Sequence, residues 1–156
     1  MATILDLSEN LTAINLRAIA ASLTERNKAE IVTRVKKQLW DGKKPDGSDI
    51  TPSYLDDPYF KTRKQAEGYA NWKMKISRNS MRNKYAPNLF INGYFYSTIT
   101  VTGTEKFEVV STWGEVGKKY ADALGLSIEH GSEIIEGFIR PQFEEIVEDI
   151  TGLKFK

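Results

Sequence analysis

The hydrophobic period of this chain changes twice along its length, and that change constrains the fold more than any other feature. Apolar residues recur at helical spacing near both ends, but they alternate one by one between about Tyr94 and Ser111. One regular element cannot satisfy both patterns, because side chains repeat every ~3.6 residues in a helix and every second residue in a strand. The order predicts an α+β fold with N-terminal helices, a central aromatic-rich β-hairpin or small antiparallel sheet, and a C-terminal amphipathic helix.

Two helices with a break between them are predicted before the Asp-Gly sequence that follows Trp40. Ser8 and Thr24 lie where N-caps are expected, because a hydroxyl group there accepts a hydrogen bond from a free amide of the first turn. The apolar stripes are Leu11, Ile14, Ala18 and Ala21, then Ala29, Val32, Val35, Lys36 and Leu39. The turn residues that follow predict a loop over about residues 41–52.

The central part is predicted to contain a helix over about residues 58–76, with Gly68 as its weak point, and then a turn-rich passage. The alternating residues 94–101 and 107–111 predict a β-hairpin that turns near Gly103. A short helix over residues 116–124 is predicted to end at Gly125.

The last helix is predicted to begin at Ser132 as N-cap and to end at Gly152. Pro141 within it predicts a kink or a fresh helix start, because proline costs ~3 kcal/mol in a helix interior. Its predicted apolar stripe consists of Ile135, Ile139, Ile146 and Ile150, with Phe138, Phe143 and Val147 beside it.

Length and composition exclude several classes. A chain of 156 residues with 40% apolar residues is expected to form one domain over residues 1–156. No cysteine is present, and the single histidine, His130, excludes sites that need two imidazoles. Phosphate-binding glycine motifs and GxSxG are absent from the sequence, so we expect no enzyme and no cofactor. Short apolar runs and the lack of a signal-peptide layout predict a soluble chain used inside a cell, without a membrane partner.

The charges are segregated along the sequence, although their sum is +1. Seven basic and two acidic residues lie between Arg26 and Lys44, and seven acidic residues and one arginine lie between Glu129 and Asp149. Eight basic residues and one acidic residue lie in a second basic segment: Lys61, Arg63, Lys64, Lys73, Lys75, Arg78, Arg82 and Lys84. One interpretation is that each run is the solvated face of a helix. A second is that basic and acidic runs are complementary faces of a head-to-tail assembly. A third, for the second basic segment alone, is a surface for a nucleic-acid backbone.

Candidate chemical groups are few. The cluster Asp46, Asp49, Asp56 and Asp57 offers oxygen ligands, and Asp56 with Asp57 allows a metal-dependent hydrolase or nuclease as a minor alternative. Its spacing does not match a calcium loop, and acidic residues in turns usually bond nearby amides, so no metal site is predicted. His130 is expected at the start of a helix. Tyr94, Phe95 and Tyr96 are expected in a core or subunit interface more than in base stacking.

Three stretches of the sequence carry a family resemblance. They are Gln38-Leu-Trp-Asp-Gly-Lys-Lys-Pro-Asp-Gly-Ser-Asp-Ile-Thr-Pro-Ser-Tyr54, Tyr69-Ala-Asn-Trp-Lys73, and Pro87-Asn-Leu-Phe-Ile-Asn-Gly-Tyr-Phe-Tyr-Ser-Thr-Ile-Thr-Val101. They resemble small tailed-bacteriophage proteins of the neck, head-to-tail connector or tail-completion family, and Gly137-Phe-Ile-Arg-Pro-Gln-Phe143 is similar to the start of the last helix in that family. The family often has Thr-Gly-x-Leu near the hairpin, where this chain has Ile91-Asn92-Gly93-Tyr94.

The resemblance implies a structural virion protein. Such a subunit would form a homo-oligomeric ring at the head–tail junction, contact portal, neck or tail proteins, and let double-stranded DNA pass through the lumen without sequence specificity. It would be assembled in the bacterial host cytoplasm. Candidate interface residues are Tyr94, Phe95, Tyr96, Trp113, Arg140, Glu144 and Glu145. The alternative is a small nucleic-acid-binding protein that uses the second basic segment and its aromatic residues, within residues 61–85.

Overall fold

A computed structural model describes residues 15–103 and 107–154, and it confirms the α+β class. Its helices are α1 (Leu16–Trp40), α2 (Arg63–Ile76), the single turn α3 (Tyr94–Ser97), α4 (Gly114–Lys119), α5 (Ile128–Ile134) and α6 (Arg140–Thr151). A 3₁₀ turn (Ala121–Ala123) follows α4, and a π-helical stretch (Ile135–Ile139) joins α5 to α6. Strands β1 (Ile99–Thr102) and β2 (Glu108–Ser111) form the sheet.

α1 is one continuous helix, so the predicted break at Thr24 is wrong. Asn15 is the N-cap, and its Oδ1 accepts a hydrogen bond of 3.1 Å from the amide of Ala18. The buried face runs through the predicted break: Ile19, Leu23, Asn27, Ile31, Val35, Gln38 and Leu39. Continuous packing of this face outweighs the capping preference of Thr24. The predicted cap Ser8 and the N-terminal stripe residues Leu11 and Ile14 lie outside the described residues.

The loop after α1 is confirmed. Gly42 has a left-handed φ of 69°, and its carbonyl accepts a hydrogen bond of 2.9 Å from the amide of Ile50. Lys43 and Asp49 form an isolated antiparallel bridge and an ion pair of 2.7 Å. These contacts fold the loop back on itself.

α2 begins five residues later than predicted, because Thr62 supplies a better start. Its hydroxyl accepts from the amide of Gln65, and the side chain of Gln65 accepts from the amide of Thr62, which completes a capping box. The helix passes through Gly68 and ends at Ile76, as predicted.

The hairpin is confirmed, with β1 antiparallel to β2 and Ile99 opposite Ser111. The predicted strand over residues 94–98 is wrong, because α3 occupies residues 94–97. Gly93, with φ of 83°, leads into this turn, and the hydroxyls of Ser97 and Thr98 donate to the carbonyls of Tyr94 and Phe95. Local hydrogen bonds therefore outweigh the alternating pattern.

The C-terminal helical rod, residues 128–151, begins earlier than predicted. Ser127 caps it and Ser132 lies inside α5, so the predicted cap is wrong. The predicted fresh helix start at Pro141 is confirmed, because α6 begins at Arg140 and holds Pro141 in its first turn, where the missing amide is tolerated. The π-helical stretch leads directly into α6, so the rod is continuous. The rod ends at Gly152, where φ is 70°, as predicted.

The predicted stripe of the last helix is confirmed only in part. Val147 is buried and Ile139 packs against the buried core, as predicted, whereas Ile135 and Ile150 are exposed. Ile134 and Thr151, which the prediction left out, are buried. A π-helical stretch adds residues to each turn and thereby rotates the buried face. The predicted helix over residues 116–124 is likewise divided into the shorter α4 and the 3₁₀ turn.

Two packed regions organise the molecule. The main core consists of Ile31, Val35, Leu39, Ile50, Phe95, Ile99, Val101, Val109, Tyr120, Ala123 and Ile134. The aromatic cluster consists of Tyr54, Ala66 and Ala70, with Phe60, Tyr69 and Tyr85 against them. Within the part of the chain that the structure describes, no helix combines the length and apolar character needed to cross a bilayer.

Polar side chains fix the rod against α1. Asn27 and Gln142 exchange amide hydrogen bonds of 3.1 and 3.2 Å. The buried Gln38 donates to the carbonyl of Gly125 and accepts from the amide of Ser127, which sets the start of α5. Since these buried amides are paired, they orient the helices without the cost of an unsatisfied polar group.

Candidate functional site

The second basic segment does not form one continuous cationic surface. Six of its eight side chains are exposed: Lys61, Arg63, Lys64, Lys75, Arg78 and Lys84. Lys73 and Arg82 are only 1% and 4% exposed, so their assignment as nucleic-acid-facing residues is wrong for this fold. Arg63 also forms an ion pair of 2.8 Å with Glu67. The exposed cations that remain lie just before α2, on α2 and on the turns that follow it.

Arg82 instead has a structural role, because its buried side chain links the end of α2 to the segment that follows it. Its guanidinium donates to the carbonyl of Ala86 at 2.6 Å and contacts the sulfur of Met74 at 3.1 Å. A Cβ atom added to Gly42 would lie 3.1 Å from the Arg82 side chain. The loop after α1 therefore packs closely against this arginine, and glycine at position 42 leaves room for it.

Lys73 is buried beneath the aromatic cluster. Its ammonium group donates a hydrogen bond to the carbonyl oxygen of Phe90. Burial, and secondarily the charge of Arg82, lowers the pKa of Lys73 from 10.5 to about 8. Among the described residues Lys73 has no carboxylate partner.

The sequence contained a signal for this burial that we had not interpreted. Lys73 follows Ala66 and Ala70 at i+7 and i+3, and these two alanines are buried on the same side of α2. That spacing places Lys73 on the apolar stripe of the helix. The position on this stripe outweighs the positive charge in deciding where the side chain lies.

The predicted interface aromatics divide between core and surface. Phe95 is buried in the main core, which confirms the core alternative for this residue and removes it from the candidate interface residues. Tyr96 is half-buried and donates from its hydroxyl to the carbonyl of Asn88 at 2.6 Å. Tyr94 and Trp113 are exposed, and their ring centroids lie 5.0 Å apart in an edge-to-face arrangement. These two rings form an accessible aromatic pair.

The predicted charged interface residues lie on the C-terminal rod. Arg140 pairs with Glu136 at 2.9 Å on the surface. Glu144 is partly buried and Glu145 is exposed. The assignment of these three residues to an interface stays a prediction.

Part of the charge segregation is neutralised within the chain. Arg34 of the basic α1 pairs with Glu133 of the acidic rod at 2.5 Å. Lys44 pairs with Asp122 at 2.7 Å. Segments of opposite charge that are distant in sequence therefore meet within one subunit, and fewer charges remain for neighbours.

The rod also exposes large apolar side chains. Ile135, Phe138 and Ile150, which the sequence predicts in or beside the packed stripe, are exposed. Ile128 at the start of the rod and Leu153 just beyond its end are exposed as well. Large apolar side chains along one element, next to acidic residues, are typical of a surface that binds another protein.

The four aspartates that lie close together in the sequence each contact different partners. Asp46 accepts from Ser48, Asp49 from Lys43 and Asn83, and Asp56 from Ser53 at 2.5 Å. Asp57 pairs with Lys119 at 2.8 Å. Burial raises the pKa of Asp57, but the hydrogen bonds from Lys119 and from the amide of Tyr59 outweigh burial, so the pKa is lowered overall. Over residues 15–103 and 107–154, no group of three or more potential ligands is arranged to hold a metal ion.

His130 lies in the first turn of α5, as predicted. Its amide donates to the hydroxyl of Ser127 at 3.2 Å. Its Nδ1 atom is buried, and within the described part of the chain this atom has no hydrogen-bond partner.

Comparisons of this chain with protein-family models, with curated proteins and with solved structures find no match.

Proposed function

We propose that this chain is a structural, non-enzymatic subunit of the tailed-bacteriophage neck, head-to-tail connector or tail-completion class. Copies of it form a ring in the virion neck or tail, contact portal, neck or tail proteins, and surround passing double-stranded DNA. The proposal rests on the motif resemblance, and one structural observation carries it further. That observation is the exposed apolar surface of the C-terminal rod beside its acidic residues.

The chain has more large apolar residues than its main core buries. The main core is already filled by side chains from α1, the hairpin and α5, yet Ile135, Phe138 and Leu153 are left on the surface. An assembly subunit buries such residues against a neighbour. A conduit for DNA also avoids strong phosphate binding, because each neutralised phosphate adds affinity that would hinder passage. Two of the eight predicted phosphate-facing cations are buried, which suits that requirement.

The test is the mass of the full-length protein by size-exclusion chromatography with light scattering, across protein concentration and salt. We expect a discrete oligomer that the double variant Ile135→Lys with Phe138→Lys converts to monomer. Met81→Lys is the control, because Met81 is 86% exposed and is not part of the rod. A wild-type chain that stays monomeric under every condition contradicts the homo-oligomeric ring.

A second candidate is a small nucleic-acid-binding protein. The exposed ring of Trp72 lies on α2 with the exposed Lys64 and Lys75, and interleaved aromatic and basic side chains bind single strands. This candidate requires an affinity for single-stranded DNA that falls steeply with salt, and Lys64→Gln with Lys75→Gln should reduce that slope. Absence of binding at low salt, measured by fluorescence anisotropy, excludes it.

A further inference from the structure

A small cavity lies between α2, the segment of residues 87–91, and α4. Its volume is about 190 Å³, and its walls include Phe95, Tyr120 and Leu89. Trp113 and Ile91, which are both exposed, form part of its lining. This volume is below the roughly 300–1,000 Å³ of sites for drug-sized ligands, so the cavity suits one ring-sized group.

Lys73 supplies the cationic side chain of this cavity. The residue is 1% exposed, and its ammonium group has three donors. Within the described residues, only the carbonyl of Phe90 accepts from it. A buried ammonium without a counter-ion is costly, and an entering carboxylate would reduce that cost.

The wall of the cavity is held in a costly conformation. Leu89 has a left-handed φ of 55°, which is unusual for a residue other than glycine, asparagine or aspartate. The neighbouring Asn88 is fully buried, and its Nδ2 atom has no partner among the residues described. Strained backbone and unsatisfied polar groups concentrate where a protein binds or reacts with a ligand.

From this geometry we infer that the cavity binds a small carboxylic acid with an aromatic or branched aliphatic body. The carboxylate accepts hydrogen bonds from Nζ of Lys73, and the apolar body contacts Phe95 and Trp113. A neutral ligand of the same shape fills the cavity but leaves the ammonium without a counter-ion, so it binds more weakly. This site is independent of the ring, because it requires no second copy of the chain.

The test compares an acid with its amide. We would titrate the full-length protein with 3-phenylpropanoate and with 3-phenylpropanamide, and follow the indole signal of Trp113 by two-dimensional NMR. We expect saturable binding of the acid and at least tenfold weaker binding of the amide. Equal affinities, or no saturable binding of the acid, would overturn the inference on the wild-type protein alone.

Two lysine variants locate the charge. Lys73→Met should weaken binding of the acid at least tenfold, with near-UV circular dichroism checking that the variant is folded. Lys75→Met is the matched control, since Lys75 is exposed on the same helix, and it should bind like the wild type. Unchanged binding by a folded Lys73→Met variant would overturn the inference.

The pH dependence gives a further readout. Affinity for the acid should fall as the pH rises above about 8, where Lys73 loses its proton. The other groups around the cavity keep their charge state there. Burial raises the pKa values of Tyr54, Tyr69 and Tyr120. The ion pair between Asp57 and Lys119 lowers the pKa of the aspartate and raises that of the lysine. Affinity that stays constant from pH 7 to 9.5 would contradict the role of Lys73.

Discussion

The main core and the aromatic cluster are packed with different chemistry. In the main core, Val35, Leu39 and Ile50 are completely buried, and most neighbouring side chains are aliphatic. In the aromatic cluster, the rings of Tyr54, Phe60 and Tyr69 lie against the small side chains of Ala66 and Ala70, with centroids 5.0 to 6.2 Å apart.

The two regions also differ in how their buried polar side chains are paired. Beside the main core, the buried Gln38 and Asn27 are paired with other amides and backbone groups. Beside the aromatic cluster, Lys73 and Arg82 are buried without carboxylate partners among the described residues. The main core therefore has its buried polar groups in neutral pairs beside it, whereas the aromatic side buries charges at a cost.

The largest expected effect is in the main core. Leu39→Ala should lower the free energy of unfolding by about 2–5 kcal/mol, because Leu39 is fully buried and its removal leaves a cavity. Urea unfolding measures the loss. Leu55→Ala, at a partly exposed site, is the control and should change stability by about 0.5 kcal/mol or less. Equal losses for both variants would contradict this assignment of the core.

An overpacking substitution should have an intermediate effect in the aromatic cluster. Ala70→Leu should cost about 1–3 kcal/mol, because the added side chain must displace the rings of Tyr54 and Tyr69. Near-UV circular dichroism would follow the rings, and chemical denaturation would follow stability. Asn71→Leu, on the exposed side of the same helix, should leave the near-UV spectrum unchanged. A tolerated Ala70→Leu would mean that this cluster is loosely packed.

The smallest expected effect is a dependence of the free energy of unfolding on pH. The pKa of Lys73 is lowered from 10.5 to about 8, so between these values the unfolded chain binds more protons than the folded one. Stability therefore rises with pH in this window, by at most about 1.4 kcal/mol per pH unit. The slope should disappear in Lys73→Met.

The slope is best measured from pH 8 to 9.5, as the difference between wild type and variant. Above pH 10 the raised pKa values of Tyr54 and Tyr96 act in the opposite direction, because the unfolded chain loses its phenol protons first. A wild-type slope equal to that of Lys73→Met would show that Lys73 keeps an ordinary pKa.

Local sequence rules succeeded where the signal was local. The glycines at 103 and 152 marked the hairpin turn and the end of the last helix. The rules failed where two local signals competed. Ser127 and Ser132 both suit a cap, and the bonds that hold Ser127 to the distant Gln38 favoured the first. The proposed cavity followed the same division, since the sequence predicted a nucleic-acid-facing role for Lys73 and an interface role for Phe95 and Trp113, and only the fold brought the three residues to one cavity.

The sequence by itself determined the α+β class, the central hairpin and the absence of cysteine chemistry, because these depend on periodicity and composition. The tertiary structure alone decided which charges pair within the chain, which stripe of the rod is buried, and that Lys73 lies in a cavity. Those outcomes depend on contacts between residues far apart in sequence, such as Arg34 with Glu133, which no local pattern contains. Packing therefore divided the apparent basic segment into six exposed cations and two buried ones, Lys73 and Arg82.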